Sequence, residues 1–209
     1  MPELNTAPLT ADSPLAPLYG AARSLLAREG RWRAALAGQI GPEPHDVILD
    51  IGCGAGALSM LLARMQPRAV VIGMDPRGAA IAQARARAAE VHSRAAFIAC
   101  EAQDAGLHLG ARTPTKIVLT LTGARGVTEK IAHMQCARQI IDPAGALHVV
   151  DYGAQRTALM QRLSALAGRQ AGEGDTRALI RAAGFVAVEE TATWSTASGA
   201  LSLYRARAS

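Results

Sequence analysis

Between Val47 and Leu58 the chain reads Val-Ile-Leu-Asp-Ile-Gly-Cys-Gly-Ala-Gly-Ala-Leu. An apolar run meets an acid, three glycines follow at alternate positions, and a helical pattern begins at once. Few local structures satisfy such a segment. Glycine carries no Cβ, so the backbone can take left-handed angles and a ligand can come close to it. The first turn of the helix that follows presents free N–H groups. In an open α/β sheet such a turn stands at the carboxyl edge of the strands, where ligands bind.

The same alternation continues along the chain. Strands are expected at Val47–Ile51, Ala69–Met74, Ala95–Cys100, Lys116–Leu121 and Ala146–Asp151. Helices are expected at Ala57–Met65, Gly78–His92, Thr128–Ile141, Ala158–Ala167 and Asp175–Ala183. A loop of small residues runs from Glu101 to Pro114, and Val186–Trp194 and Ala200–Arg207 read as a closing β-hairpin around Ser198-Gly199. Half of the residues are apolar and only 3% aromatic, so the core must be aliphatic, which suits a sheet covered by helices. The expected fold is α/β: a doubly wound, mostly parallel, seven-stranded Rossmann-like sheet with a C-terminal antiparallel hairpin. Residues 1–17, without periodicity, read as a tail. Residues 18–44 read as a small helical cap, ended by Gly41-Pro42-Glu43-Pro44, and residues 45–209 as the main domain.

The net charge of +5 does not point to nucleic acid. The basic residues are Arg apart from Lys116 and Lys130, they are scattered among Ala, and no run of five or more like charges or basic stretch interleaved with aromatic residues for base stacking is present. Cys53, Cys100 and Cys136 match no zinc spacing, and three lone thiols fit a reducing cytoplasm. The N-terminus has no basic start leading into an apolar run, and no apolar stretch is long enough to span a membrane. The expected location is the cytoplasm, with no metal; a homodimer is compatible with this composition.

Two acids sharpen the glycine-rich turn. Asp75 ends the second strand and follows Gly56 by 19 residues, where a carboxylate can accept hydrogen bonds from both hydroxyls of a ribose. Pro76 follows it, so a plain helix cap is the competing account. Gly52-x-Gly54-x-x-Ala57 also satisfies the dinucleotide fingerprint, which keeps a nicotinamide-dependent oxidoreductase in play. Asp50 argues the other way. A carboxylate at the strand end opposes a pyrophosphate and favours a cationic ligand.

Asp50-Ile51-Gly52-Cys53-Gly54-Ala55-Gly56 resembles motif I of class I methyltransferases, which use S-adenosylmethionine. The order of elements is similar from about Tyr19 to Arg207. Within that superfamily the likeness is nearest to the ubiquinone/menaquinone-biosynthesis type. It is carried by Ile72-Gly73-Met74-Asp75-Pro76, by Phe97 to Asp104, by Asp142 to Asp151, and by Ala183-Gly184-Phe185 with Gly199 to Ala206. The resemblance implies that Gly52, Cys53, Gly54 and Gly56 line the methionine end of the cofactor, with Asp50 near its amino-acid head. It implies that Asp75 holds the ribose and Pro76 lies beside the adenine, with Glu101, Ala102, Gln103 and Thr120 completing the cofactor side. Glu101 stands where the family usually has Asp. Thr115 to Gly123 departs from the family's Phe-Asp start and aromatic or histidine-rich loop, so the acceptor side differs.

The acceptor candidates are Tyr19 in the cap, His108 in the loop facing the ligand edge, and Asp151 and Tyr152 at the end of the fifth strand. His148, inside that strand, reads as packed core. Cys53 reads as a filler of the turn rather than a nucleophile, because no base is placed beside it. The expected activity is methyl transfer to O, N or C of a small molecule. A nicotinamide oxidoreductase and a non-catalytic cofactor binder are the alternatives.

Overall fold

The computed structural model describes residues 30–121, 126–152, 175–196 and 199–209. The expected tail, the first cap helix with Tyr19, the helix Ala158–Ala167 and Ser198 lie outside the described residues. The chain divides into two compact units, Met1–Ala35 and Leu36–Ser209. In the first, residues 30–35 are helical, and the Arg33 guanidinium stacks 4.7 Å from the centroid of the Trp32 ring. This helix, α1, runs over residues 30–40.

The second unit is built on strands β1 (Val47–Ile51), β2 (Val70–Asp75), β3 (Ala96–Ala99), β4 (Lys116–Thr120), β5 (Ala146–Tyr152), β6 (Val186–Thr196) and β7 (Gly199–Arg207). Helices α2 (Ala57–Met65), α3 (Gly78–Glu90), α4 (Val127–Ile140) and α5 (Thr176–Ala182) connect or cover them. Each described strand and helix ends within two residues of its expected bounds. The expected loop after β3 holds a 3₁₀ turn, Ala102–His108, which the sequence reading leaves irregular.

The sheet order is β3-β2-β1-β4-β5-β7-β6. Strands β3, β2, β1, β4 and β5 pair in parallel, and β7 is antiparallel to both β5 and β6. The sheet is therefore mixed, where a mostly parallel one is expected. The cause is local: β6 and β7 are joined by too short a connection for a crossover, so they must pair antiparallel, and β7 rather than β6 docks on β5.

The strands of the parallel part are continuous apolar runs because both faces are covered. Leu49, Ile117, Leu119, Leu147 and Val149 are fully buried and pack with Met134, Ala137 and Ile180 of α4 and α5. At the amino edge, Lys116 donates to Asp46 at 2.7 Å and to the Gly41 carbonyl at 2.8 Å. The Thr115 hydroxyl donates to the other Asp46 oxygen at 2.7 Å. This clamp fixes the start of β1 beside β4. At the opposite edge the chain leaves β1 outward toward β2 and returns to β4. The order reverses between β1 and β4, the switch point at whose carboxyl ends open α/β sheets bind ligands.

Candidate functional site

The turn after β1 is pinned from β2. The amides of Gly52 and Cys53 both donate to the Met74 carbonyl, at 2.8 and 3.0 Å. Gly52, Gly54 and Gly56 all have positive φ, at 80°, 56° and 76°, so the alternate glycines of the sequence are a backbone requirement. Their surroundings differ. A Cβ on Gly52 would sit 3.0 Å from the Thr120 carbonyl oxygen, which places β4 against the turn. A Cβ on Gly56 would be driven to 2.5 Å from the Phe97 ring, so this glycine serves packing between turn and sheet. A Cβ on Gly54 would meet only the end of the Arg77 side chain, at 3.7 Å. Gly54 is the one of the three whose neighbour is the end of an exposed side chain.

Asp50 is almost fully buried, and its Oδ2 accepts the Ser59 hydroxyl at 2.6 Å, tying the end of β1 to α2. Asp75 is 3% exposed and turns back toward the glycines, where its Oδ2 accepts the Gly54 amide at 3.0 Å. It also accepts the Arg77 amide at 3.0 Å and both arms of the Arg77 guanidinium, Nε at 2.9 Å and Nη2 at 3.0 Å. Burial alone would raise the Asp75 carboxyl. The Arg77 guanidinium and the two backbone amides outweigh it and hold the group below the usual carboxylate range. Cys53 shifts in the opposite direction: burial, then the charges of Asp50 and Asp75, push its thiol up. The shift disfavours the thiolate. The carboxylates of Asp50 and Asp75 both act on this thiol, with the Arg77 guanidinium opposing them.

Around this centre, Pro76 is exposed after β2. Glu101 and Gln103 are exposed beyond β3, while Ala102 is buried under the 3₁₀ turn. Glu101 makes no side-chain cap to that turn. Thr120 is half-buried at the end of β4.

On the acceptor side the placements are less convergent. His108 is exposed at the last turn of the 3₁₀ segment. The backbone of Tyr152 ends β5, paired with Leu201; its side chain lies outside the described residues. Asp151 departs from the expected placement. Its side chain is fully buried on the α4 face, bound to Lys130 Nζ at 2.5 Å and to the Thr176 hydroxyl at 2.8 Å. The strand alternation decides this: Leu147, Val149 and Asp151 share one face of β5, and that face meets α4 and α5. The carboxylate is thus engaged in holding the fold together.

A cavity of about 600 Å³ lies between α2 and α3, lined in part by Met60, Pro67 and Val91 with Arg64, Arg87 and Arg94. None of the expected cofactor or acceptor residues lines it. Among the described residues no cluster of His, Cys, Asp or Glu is placed to hold a metal ion, and no helix is long and apolar enough to cross a membrane.

A family model described as a methyltransferase domain matches residues 42–184. The chain belongs to the methyltransferase-domain family. Among solved structures, it is similar to the magnesium protoporphyrin IX methyltransferase of Synechocystis PCC 6803 with bound SAH. The TM-score is 0.72 at 21% identity, covering 90% of this chain and 86% of that one. The same enzyme with bound SAM gives 0.65 at 20%, covering 86% and 79%. The N-methyltransferase NodS of Bradyrhizobium japonicum WM9 gives 0.61 at 18%, covering 95% and 98%. At these identities the likeness concerns the fold. A sequence comparison with curated proteins finds no significant match.

Three features of this methyltransferase domain escape the sequence reading. Ser59 bonds Asp50 from the first turn of α2, nine residues downstream, a contact that the short polar residue on an otherwise apolar helix face could have suggested. Arg77 folds back on Asp75 from only two positions downstream. Lys130 and Thr176 reach Asp151 from elements remote in sequence, and nothing local marks either as a partner.

Proposed function

We propose that this methyltransferase domain transfers a methyl group from S-adenosylmethionine to a small-molecule acceptor. The observation that carries the proposal is the Asp75 carboxylate turned back onto the Gly54 amide. An acid so placed can accept the hydroxyls of a ribose laid along the turn. The donor chemistry fits a cationic nucleoside. Asp50 and Asp75 bring two carboxylates to the turn, a donor set that opposes a pyrophosphate and favours a ligand with sulfonium and ammonium groups. The cradle fits as well, since the neighbour of Gly54 is the end of an exposed side chain rather than backbone.

When bound, S-adenosylmethionine supplies an electrophilic methyl carbon on sulfur. The chain's residues supply position. Gly52, Cys53, Gly54 and Gly56 line the methionine end, with Asp50 setting the turn through Ser59. Asp75 holds the ribose and Pro76 lies beside the adenine. Glu101, Ala102 and Gln103 flank the base from the end of β3, and Thr120 bounds the site on the β4 side. Holding an acceptor in line with the methyl group contributes on the order of 7–11 kcal/mol through orientation alone. A proton-accepting side chain is required only for an acceptor that must lose a proton. His108 is the exposed titratable group offered at this edge, and Tyr19 and Tyr152 are the remaining acceptor contacts. Residues 45–209 act as the cofactor domain and 18–44 as its cap. The likeness to the ubiquinone/menaquinone-biosynthesis type supports a small organic acceptor.

Calorimetric titration with S-adenosylhomocysteine and, separately, with NADPH tests the proposal. Saturable binding of S-adenosylhomocysteine is expected; binding of NADPH alone would overturn the reading. Asp75→Asn should weaken S-adenosylhomocysteine by about 10–100-fold, because a charge-assisted hydrogen bond contributes about 1.5–3 kcal/mol. An unchanged affinity would remove Asp75 from the site.

A further inference from the structure

A carboxylate offers about four lone-pair positions, and on Asp75 all four are taken. Oδ1 accepts the Arg77 amide at 3.0 Å and Arg77 Nε at 2.9 Å. Oδ2 accepts the Gly54 amide at 3.0 Å and Arg77 Nη2 at 3.0 Å. The two amides belong to the backbone and stay wherever the turn stays. The other two donors belong to one guanidinium fork, which places one N–H on each oxygen. A ribose presents the same pattern, with two adjacent hydroxyls each donating to one oxygen.

We propose that the Arg77 guanidinium is a built-in competitor for the ribose diol, and that ligand binding exchanges the fork for the two hydroxyls. The inference rests on the S-adenosylmethionine reading and adds to it a residue that sets affinity. Several observations converge. The fork takes the two positions a diol would need and leaves the backbone pair untouched. Its end lies 3.7 Å from where a Cβ on Gly54 would be, and nothing else lies within 4 Å of that point. The Arg77 side chain is 70% exposed while Asp75 is 3% exposed. The arginine can therefore swing into water, whereas the carboxylate cannot leave.

The consequence is quantitative. A ligand whose site is open for only a fraction of the time binds more weakly by that fraction. With the fork in place the diol trades two charge-assisted bonds for two others, so part of its contribution cancels. Without the fork the diol contributes in full. A ligand lacking the hydroxyls has nothing to exchange and is indifferent to the arginine.

The experiment compares the full-length wild type with Arg77→Ala and Arg77→Lys, by calorimetry with S-adenosylhomocysteine and by competition with adenosine and 2′,3′-dideoxyadenosine. Arg77→Ala should bind S-adenosylhomocysteine and adenosine about two- to fivefold tighter, the range expected when an ion pair with one exposed partner is removed. Arg77→Lys should fall between, because a single ammonium cannot span both oxygens. Dideoxyadenosine should bind all three proteins alike. An equal or weaker affinity of both variants for S-adenosylhomocysteine would overturn the competitor and leave the cofactor reading standing. A gain for dideoxyadenosine as large as that for adenosine would also overturn it, since arginine bulk and not the diol pattern would then be responsible. If S-adenosylhomocysteine binds none of the three proteins, the cofactor reading fails and the competitor falls with it.

Discussion

A Cβ on Gly54 would meet only the end of Arg77, whereas one on Gly56 would be driven into the Phe97 ring, although both residues have positive φ. The left-handed backbone costs a residue with a Cβ roughly 1–2 kcal/mol at either position. At Gly56 the overlap with Phe97 adds about 1–3 kcal/mol. Gly56→Ala should therefore lower the urea midpoint clearly more than Gly54→Ala does. Adding Phe97→Leu should recover the overlap but not the backbone strain, so the double-mutant cycle should show coupling of about 1 kcal/mol or more. Strict additivity would mean the ring is not what excludes a side chain at Gly56. Gly54→Ala should have its larger effect on S-adenosylhomocysteine, which a calorimetric titration of the same protein reads directly. The two glycines look alike in the sequence. Only the neighbour each one faces separates a packing role from a ligand role, and that neighbour lies 41 residues downstream for Gly56, as Phe97, and 23 for Gly54, as Arg77.

Among the elements, the buried pair of Lys130 and Asp151 joins α4 to the end of β5, and the Thr176 hydroxyl brings in the first turn of α5 on the same carboxylate oxygen. Lys130 is 4% exposed and Asp151 fully buried, so neither charge has water to fall back on. Lys130→Met should cost about 3–5 kcal/mol, because it strands a buried carboxylate. Lys130→Met with Asp151→Leu should regain most of that loss, since a buried pair replaced by apolar residues is often close to neutral. Chemical denaturation of the single and double variants decides it. A double variant no better than Lys130→Met would show that the apolar pair cannot pack there. This triad also marks where the sequence stops being legible. Strands and helices could be read because apolar runs and helical spacing are local signals, and the turn at Gly52 to Gly56 could be read because glycine is a backbone requirement. In the sequence, its place at the end of β5 marks Asp151 as an acceptor contact. Its orientation follows from strand parity and from a lysine 21 residues upstream, neither of which its neighbours announce. The position of β7 between β5 and β6 was hidden for a related reason: a hairpin pattern says which strands pair with each other but not which of them docks on the sheet.

For the molecule as a whole, the stability of the Leu36–Ser209 unit is linked to pH through His148, which lies in the middle of β5 and is 1% exposed. Its Nδ1 accepts the Gln39 side-chain amide of α1 at 3.0 Å. That amide nitrogen also donates to the Tyr204 carbonyl of β7 at 3.2 Å, while the Thr191 hydroxyl of β6 donates to the Gln39 amide oxygen. The carbonyl of Tyr204 fixes which end of the Gln39 amide faces the ring, so a proton on Nδ1 would set donor against donor. Nε2 is buried with no hydrogen-bond partner among the described residues. Burial, then the positive charges of Lys116 and Arg205, push the imidazole down from 6.5 to about 3. The sign follows from linkage. Between those values the unfolded chain takes up a proton that the folded protein refuses, so folding stability falls as pH drops from 6.5 toward 3 and is independent of this group above that window. The slope approaches about 1.4 kcal/mol per pH unit near the middle of the window. The carboxyls of Asp46 and Asp75, both held low, begin to add their own loss from about pH 5 downward, so the histidine dominates over these two in the upper part of the limb, from 6.5 to 5. Urea midpoints measured across that limb should fall steadily in the wild type. His148→Gln keeps a polar side chain facing Gln39 but has nothing to titrate, and it should flatten the limb while lowering stability at neutral pH. A wild-type midpoint that stays level from 6.5 to 5 would mean the folded protein accommodates the imidazolium, which would require α1 to release its hold on β5 and the hairpin behind it.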